Sequence, residues 1–129
     1  MTETMSGGEA MVRAAHANGI DLVFGLPGAQ IYPLFDAIHR IPEVEGIISR
    51  HEQGAAYMAF GAAAATGSPS AFAVVPGPGV LNTTAALCTA MGTNKPVLCM
   101  TGQIPSQFLG AGRGHLHELA DQRKTLRSI

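Results

Sequence analysis

Charge is what this chain has least of. Asp, Glu, Lys and Arg make up 13% of its 129 residues, against about 25% in ordinary soluble domains. Hydrophobic residues reach 47%, so part of the surface is expected to meet another subunit or domain. The net charge is -1, and the one basic run is Arg123-Lys124-Thr125-Leu126-Arg127, read as a solvated helix face. That balance argues against nucleic acid and anionic membranes as main partners. No apolar stretch reaches the ~18 residues of a membrane span. Met1-Thr2-Glu3-Thr4-Met5-Ser6 lacks the charged-then-apolar pattern of a secretory leader. A cytoplasmic location is the expectation. The two cysteines, Cys88 and Cys99, lie in apolar runs and form no Cys-x-x-Cys, which predicts buried free thiols.

Phosphate-binding signatures are missing as well. Pro76-Gly77-Pro78-Gly79 is not followed by Gly-Lys-Ser/Thr, and Gly77-x-Gly79-x-x-Asn82 lacks the third glycine of a dinucleotide fingerprint. Close backbone approach to a flat ring suits this turn better than a phosphate.

What is present is an alternation of short apolar runs and helical patterns. The length suits one domain spanning residues 1–129. Ser6-Gly7-Gly8-Glu9 has the form of a capping box and opens a helix that ends at Asn18-Gly19. Ile20 to Phe24 predicts a strand, and Ala29 to Arg40 a helix with Pro33 in its first turn or so. Val44 to Ser49 predicts the next strand. Glu52 to Thr66 follows as a helix with almost no polar side, expected to be buried all round. Ala71 to Val75 and Val97 to Thr101 predict two further strands, with a helix from Val80 to Met91 between them. Gln103 to Gly114 is a long Gly-rich loop of the kind that carries function, and His117 to Ile129 predicts a last helix. The alternation implies an α/β doubly wound parallel sheet with helices on both faces.

Ligands of such sheets gather at the carboxyl ends of the strands. Here those ends are Gly25-Leu26-Pro27-Gly28, Arg50-His51-Glu52, Pro76-Gly77-Pro78-Gly79 and Gly102-Gln103. Glu52 is the sole acid between Glu45 and Glu118, and a lone carboxylate in an apolar region is costly. As a first-turn acid it would gain only about 0.3–1 kcal/mol from the helix dipole. Burial, in turn, favours the protonated form of a carboxyl and suits it to proton transfer. Both readings stand on the residues alone. His51, just before the helix, is a candidate to orient Glu52. His115-Leu116-His117-Glu118 places two imidazoles near a carboxylate, but without further ligands at fixed spacing it reads as a loop-to-helix junction, and no metal site is expected.

Four segments together, Asp21 to Gly28, Arg50 to Ala56, Pro76 to Asn82 and Thr101 to Pro105, resemble the pyrimidine-binding domain of thiamine diphosphate enzymes, in particular acetolactate synthase large subunits. The resemblance covers nearly the whole chain in order. It implies that Glu52 hydrogen-bonds N1' of the cofactor's aminopyrimidine and promotes the imino tautomer that takes the C2 proton of the thiazolium. It implies that Pro27, Gly28 and Ala29 line the ring region, that Pro78 and Asn82 sit near the pyrimidine, and that Gln103 and His117 are substrate-side candidates.

Acetolactate synthases have a second glycine where this chain has Ala29, and a glutamine where the correspondence is His117. The substrate implied is a 2-keto acid, undergoing decarboxylation or carboligation. Family members hold magnesium and the diphosphate on a separate domain through Gly-Asp-Gly, a motif absent from this chain. The resemblance therefore implies a partial domain, cut short at the C-terminus, of a larger enzyme. The diphosphate-binding domain would come from a neighbouring subunit of a homodimer or homotetramer, and the isolated chain would be inactive. FAD is left open as a second cofactor. A noncatalytic or separately encoded pyrimidine-binding module that needs a partner chain is the alternative.

Overall fold

The computed structural model describes residues 4–129; Met1-Thr2-Glu3, the start of the segment weighed as a leader, lies outside the described residues. Helix α1 (Gly7–Ala17) is capped by Ser6, whose Oγ accepts from Glu9 N at 3.1 Å. The capping box is half made, because the Glu9 carboxylate turns instead to Arg13 at 2.8 Å and Arg40 at 3.4 Å. Asn18 and Gly19 end the helix as predicted, Gly19 at φ +79°.

Strand β1 (Leu22–Gly25) starts two residues later than the apolar run suggests. The cause is Ile20, whose N–H donates to Ala15 O at 3.0 Å and completes the helix stop. A 3₁₀ turn over Ala29–Ile31 precedes helix α2 (Tyr32–Arg40), so Pro33 falls in the first turn, where its missing N–H costs nothing. Strand β2 (Glu45–Ile48) is shorter than expected and lies at the sheet edge with every residue exposed, Ile48 at 54%. Helix α3 (Glu52–Thr66) runs as predicted, with Gly67 in the left-handed region closing it. It is not buried all round: Ala55, Ala56, Ala59 and Ala63 face the core, while Tyr57 and Met58 remain 39% and 36% exposed.

Strand β3 (Ser70–Val74) is fully buried. The single helix expected after it is two, α4 (Pro78–Leu81) and α5 (Thr84–Gly92). The break falls where Thr83 Oγ1 and Thr84 Oγ1 donate to the carbonyls of Val80 and Leu81 at 2.7 and 2.9 Å, the side-chain competition typical of threonine. Strand β4 (Val97–Thr101) matches its prediction. The long loop holds one 3₁₀ turn, Ser106–Phe108, and the last helix shrinks to α6 (Gln122–Leu126), capped by Asp121 through Lys124 N at 2.8 Å.

The four strands are all parallel in the order β2-β1-β3-β4. Alternate side chains feed two cores. Val23, Ala71, Ala73 and Met100 pack under α1 and α2, whereas Phe24, Phe72 and Val74 pack under α3 and α5. Helices thus cover both faces. Since β1 lies between β2 and β3, the chain leaves β1 in one direction and returns on its other side. Such a reversal, at the carboxyl ends of β1 and β3, is where ligands of open α/β sheets gather. No helix among the described residues is long and apolar enough to cross a membrane.

Candidate functional site

Glu52 is the first residue of α3 and stands half-buried on this rim. Its Oε2 accepts a 3.1 Å hydrogen bond from Asn82 Nδ2, a residue 30 positions away at the end of α4. Gly79 lies beneath: a Cβ there would come within 3.7 Å of Glu52 Oε1. One carboxylate oxygen is therefore fixed by an amide. No hydrogen bond among the described residues reaches the other, and it overlooks a residue with no side chain. His51 does not orient this carboxylate. It is the N-cap of α3, and its Nδ1 accepts from Gln53 N at 3.1 Å.

Ser49 holds the strand-to-helix turn in place. Its Oγ donates to His51 O at 2.8 Å, and its N–H donates to Gly25 O at 2.8 Å, tying the end of β1 to the turn that carries Glu52. The two Pro-Gly turns meet on one side chain. A Cβ on Gly28 would collide with Val75 Cγ1, and one on Gly79 would lie 2.5 Å from Val75 Cγ2. Both glycines are needed for this approach. Pro27, Ala29 and Pro78 are exposed at the mouth.

The segment leading into α6 crosses the same rim. Gln30 Nε2 donates to Leu116 O at 3.1 Å, and Gln30 Oε1 lies 2.6 Å from His117 Nδ1. Buried Gln122 accepts from Gly77 N and donates to Gly102 O, both at 3.0 Å, so its amide joins the turns that follow β3 and β4. Gly77, at φ +62°, passes so close to the His117 backbone that a Cβ would overlap it. His117 is thereby brought to the rim. Gln103 follows Gly102 just past the end of β4, its Oε1 accepting from Ile104 N at 2.8 Å.

The structure thus joins Glu52, Asn82 and Gly79 directly, joins Gly28 to them through Val75, and attaches His117 through Gln30. Ser49, Gln30 and Gln122 were not singled out in the sequence, where nothing but a long-range contact distinguishes them from surface polar residues.

In the His115-to-Glu118 stretch the groups turn to other work. Glu118 Oε2 accepts from His115 N at 2.7 Å, and His115 stacks on Phe108 with ring centroids 4.4 Å apart. Among the described residues no three His, Cys, Asp or Glu side chains converge. Both cysteines are free, but Cys88 is exposed where burial was expected, since it lies on the outer side of α5. Burial pushes the Cys99 thiol up to about 12, which keeps it protonated and inert at neutral pH. Cys99 lines an apolar groove of about 410 Å³ with Leu87, Met91, Val97, Leu126 and Ile129, a separate feature that Glu52 does not line.

The architecture is that of an α/β domain with a parallel doubly wound sheet, and comparison with known proteins specifies its family. Residues 5–125 match the family described as thiamine pyrophosphate enzyme, N-terminal TPP binding domain, and the chain belongs to that family. It is 41% identical over 106 residues to the acetolactate synthase isozyme 2 large subunit of Escherichia coli, covering 82% of this chain and 19% of that protein. To a probable acetolactate synthase large subunit of Methanocaldococcus jannaschii it is 38% identical over 106 residues, covering 82% and 18%. A probable 2-ketoarginine decarboxylase of Pseudomonas aeruginosa is also 38% identical, over 121 residues, covering 94% and 22%. The chain spans about a fifth of the length of the curated relatives it matches.

Proposed function

We propose that this chain is the pyrimidine-binding part of a thiamine diphosphate-dependent enzyme acting on 2-keto acids, with Glu52 as its proton-transfer residue. The observation that carries this reading is the Asn82–Glu52–Gly79 arrangement. One carboxylate oxygen is held by an amide, while the other accepts no hydrogen bond among the described residues and lies over Gly79, 3.7 Å from where a Cβ would stand. In this reading a flat aminopyrimidine packs against this edge, where Gly79 adds no side chain. Glu52 then holds a proton at Oε1 and shares it with a ring nitrogen. Asn82 keeps the carboxylate from rotating away, and Gly28, with Pro27, Ala29 and Pro78 beside it, forms the wall. When bound, thiamine diphosphate supplies the electron sink for cleaving the bond next to the keto group. The printed names of the relatives, acetolactate synthases and a probable 2-ketoarginine decarboxylase, support a 2-keto acid substrate.

The exposed apolar residues Tyr57 and Met58 on α3, beside the Glu52 turn, suit a covering surface. In this reading that surface is the diphosphate-binding domain of a neighbouring subunit, in a homodimer or homotetramer, and magnesium is held there. No residue described here is assigned to FAD.

Residues 1–129 alone are expected to show no 2-keto acid decarboxylation, and activity is expected to appear when the protein also carries a diphosphate-binding domain. Turnover by the purified chain without a partner would overturn the reading.

A further inference from the structure

The amide of Gln30 can be oriented in only one way. Leu116 O, 3.1 Å from Nε2, is a carbonyl and can only accept, so the NH₂ end must face it. The other end, Oε1, is also only an acceptor and lies 2.6 Å from His117 Nδ1. The proton in that contact therefore sits on Nδ1. In the neutral ring this leaves Nε2 with a bare lone pair, and no other hydrogen bond reaches the ring among the described residues. The adjacent carboxylate, Glu118, is taken by His115 N at 2.7 Å and does not compete for Nδ1.

The backbone adds a second, independent sign. His117 has φ +69°, and its carbonyl occupies the space that a side chain at Gly77 would fill. A left-handed residue with a side chain, held by a glycine on one side and a glutamine latch on the other, is over-determined strain of the kind found at ligand clamps.

We propose that Gln30 is a positioning residue that locks His117 as the Nδ1–H tautomer and so presents Nε2 as a hydrogen-bond acceptor to the substrate. This rests on the reading of the rim as the cofactor and substrate site. It specifies the substrate class further: the group meeting Nε2 is a donor, such as a hydroxyl, ammonium or guanidinium on the chain of the 2-keto acid. A carboxylate there would place two acceptors face to face.

The test uses the assembled enzyme labelled with ¹⁵N-histidine, whose ring shifts distinguish the tautomers, with Gln30→Met beside the wild type. Wild type is expected to show the Nδ1–H form. Gln30→Met is expected to admit the Nε2–H form and to lower about tenfold the preference for a 2-keto acid whose chain ends in an ammonium, which can only donate, over its methyl-terminated isostere. An Nε2–H ring in the wild type, an unchanged tautomer in Gln30→Met, or an unchanged preference overturns the proposal. Should Gln30→Met fail to fold, the wild-type ring decides alone, and an Nε2–H tautomer there overturns the proposal. Failure of the broader reading shows elsewhere, as cofactor proton exchange indifferent to Glu52, and leaves the tautomer result standing.

Discussion

Asn82 Nδ2 donates a 3.1 Å hydrogen bond to Glu52 Oε2, and this contact joins the turn after β2 to the turn after β3. Asn82 is in position because Thr83 and Thr84 interrupt what would otherwise be a continuous helix, leaving Asn82 at the end of α4. The break that sequence periodicity missed is thus part of the site.

Replacing Asn82 with Ala should free the carboxylate without harming the fold, since Asn82 is exposed. In the assembled enzyme, cofactor C2 proton exchange is expected to fall about tenfold, the value of one hydrogen bond. Stability is expected to change by less than about 1 kcal/mol. Exchange by NMR and a denaturant midpoint, measured on the same sample, check both.

Gly28→Ala should cost about 1–3 kcal/mol, because the new methyl collides with buried Val75. Val75→Ala alone also destabilises, by cavity formation. Together the two should cost less than their sum, since the space vacated by one accepts the other. A double-mutant cycle of unfolding free energies measures the coupling.

Gln122→Met removes an amide of similar length and leaves Gly77 N and Gly102 O without their partner. The buried Gly77 N–H left unpaired costs about 1–3 kcal/mol, and the half-buried Gly102 carbonyl less. The expected result is a lower denaturant midpoint and faster hydrogen exchange at the Gly77 amide.

Burial raises the Cys99 thiol from its ordinary value of 9.0 to about 12. Below the lower value both folded and unfolded chains keep the proton, so the contribution to stability is complete. Between the two values the unfolded chain loses its proton first, and stability falls as pH rises, by up to about 1.4 kcal/mol per pH unit. A Cys99→Ala variant should lose less stability across this window. At pH 8 an alkylating reagent should modify exposed Cys88 well before Cys99.

Much of this was legible in the sequence, for definite reasons. The α3 start at Glu52, the α1 stop at Gly19 and the whole of β4 follow from caps, glycine and local apolar pattern. Glu52 stood out because it is the sole acid between Glu45 and Glu118. Edge position was not legible: Ile47 and Ile48 look like a core strand, yet β2 has a neighbour on one side only. Nor was the uneven burial of α3, because a run of Ala and Gly carries almost no periodic signal. Gln30 and Gln122 act on partners 86 and 45 residues away, and composition says nothing of such pairs.

The central claim is that Glu52 moves the proton that activates the cofactor. Its most direct test is the rate of C2 proton exchange of thiamine diphosphate in the assembled enzyme, compared between wild type and Glu52→Gln. The account predicts a fall of about 10²–10⁴-fold, the usual contribution of a positioned acid or base, with the fold and cofactor binding retained. An exchange rate equal to wild type in a folded, cofactor-loaded Glu52→Gln protein would contradict it.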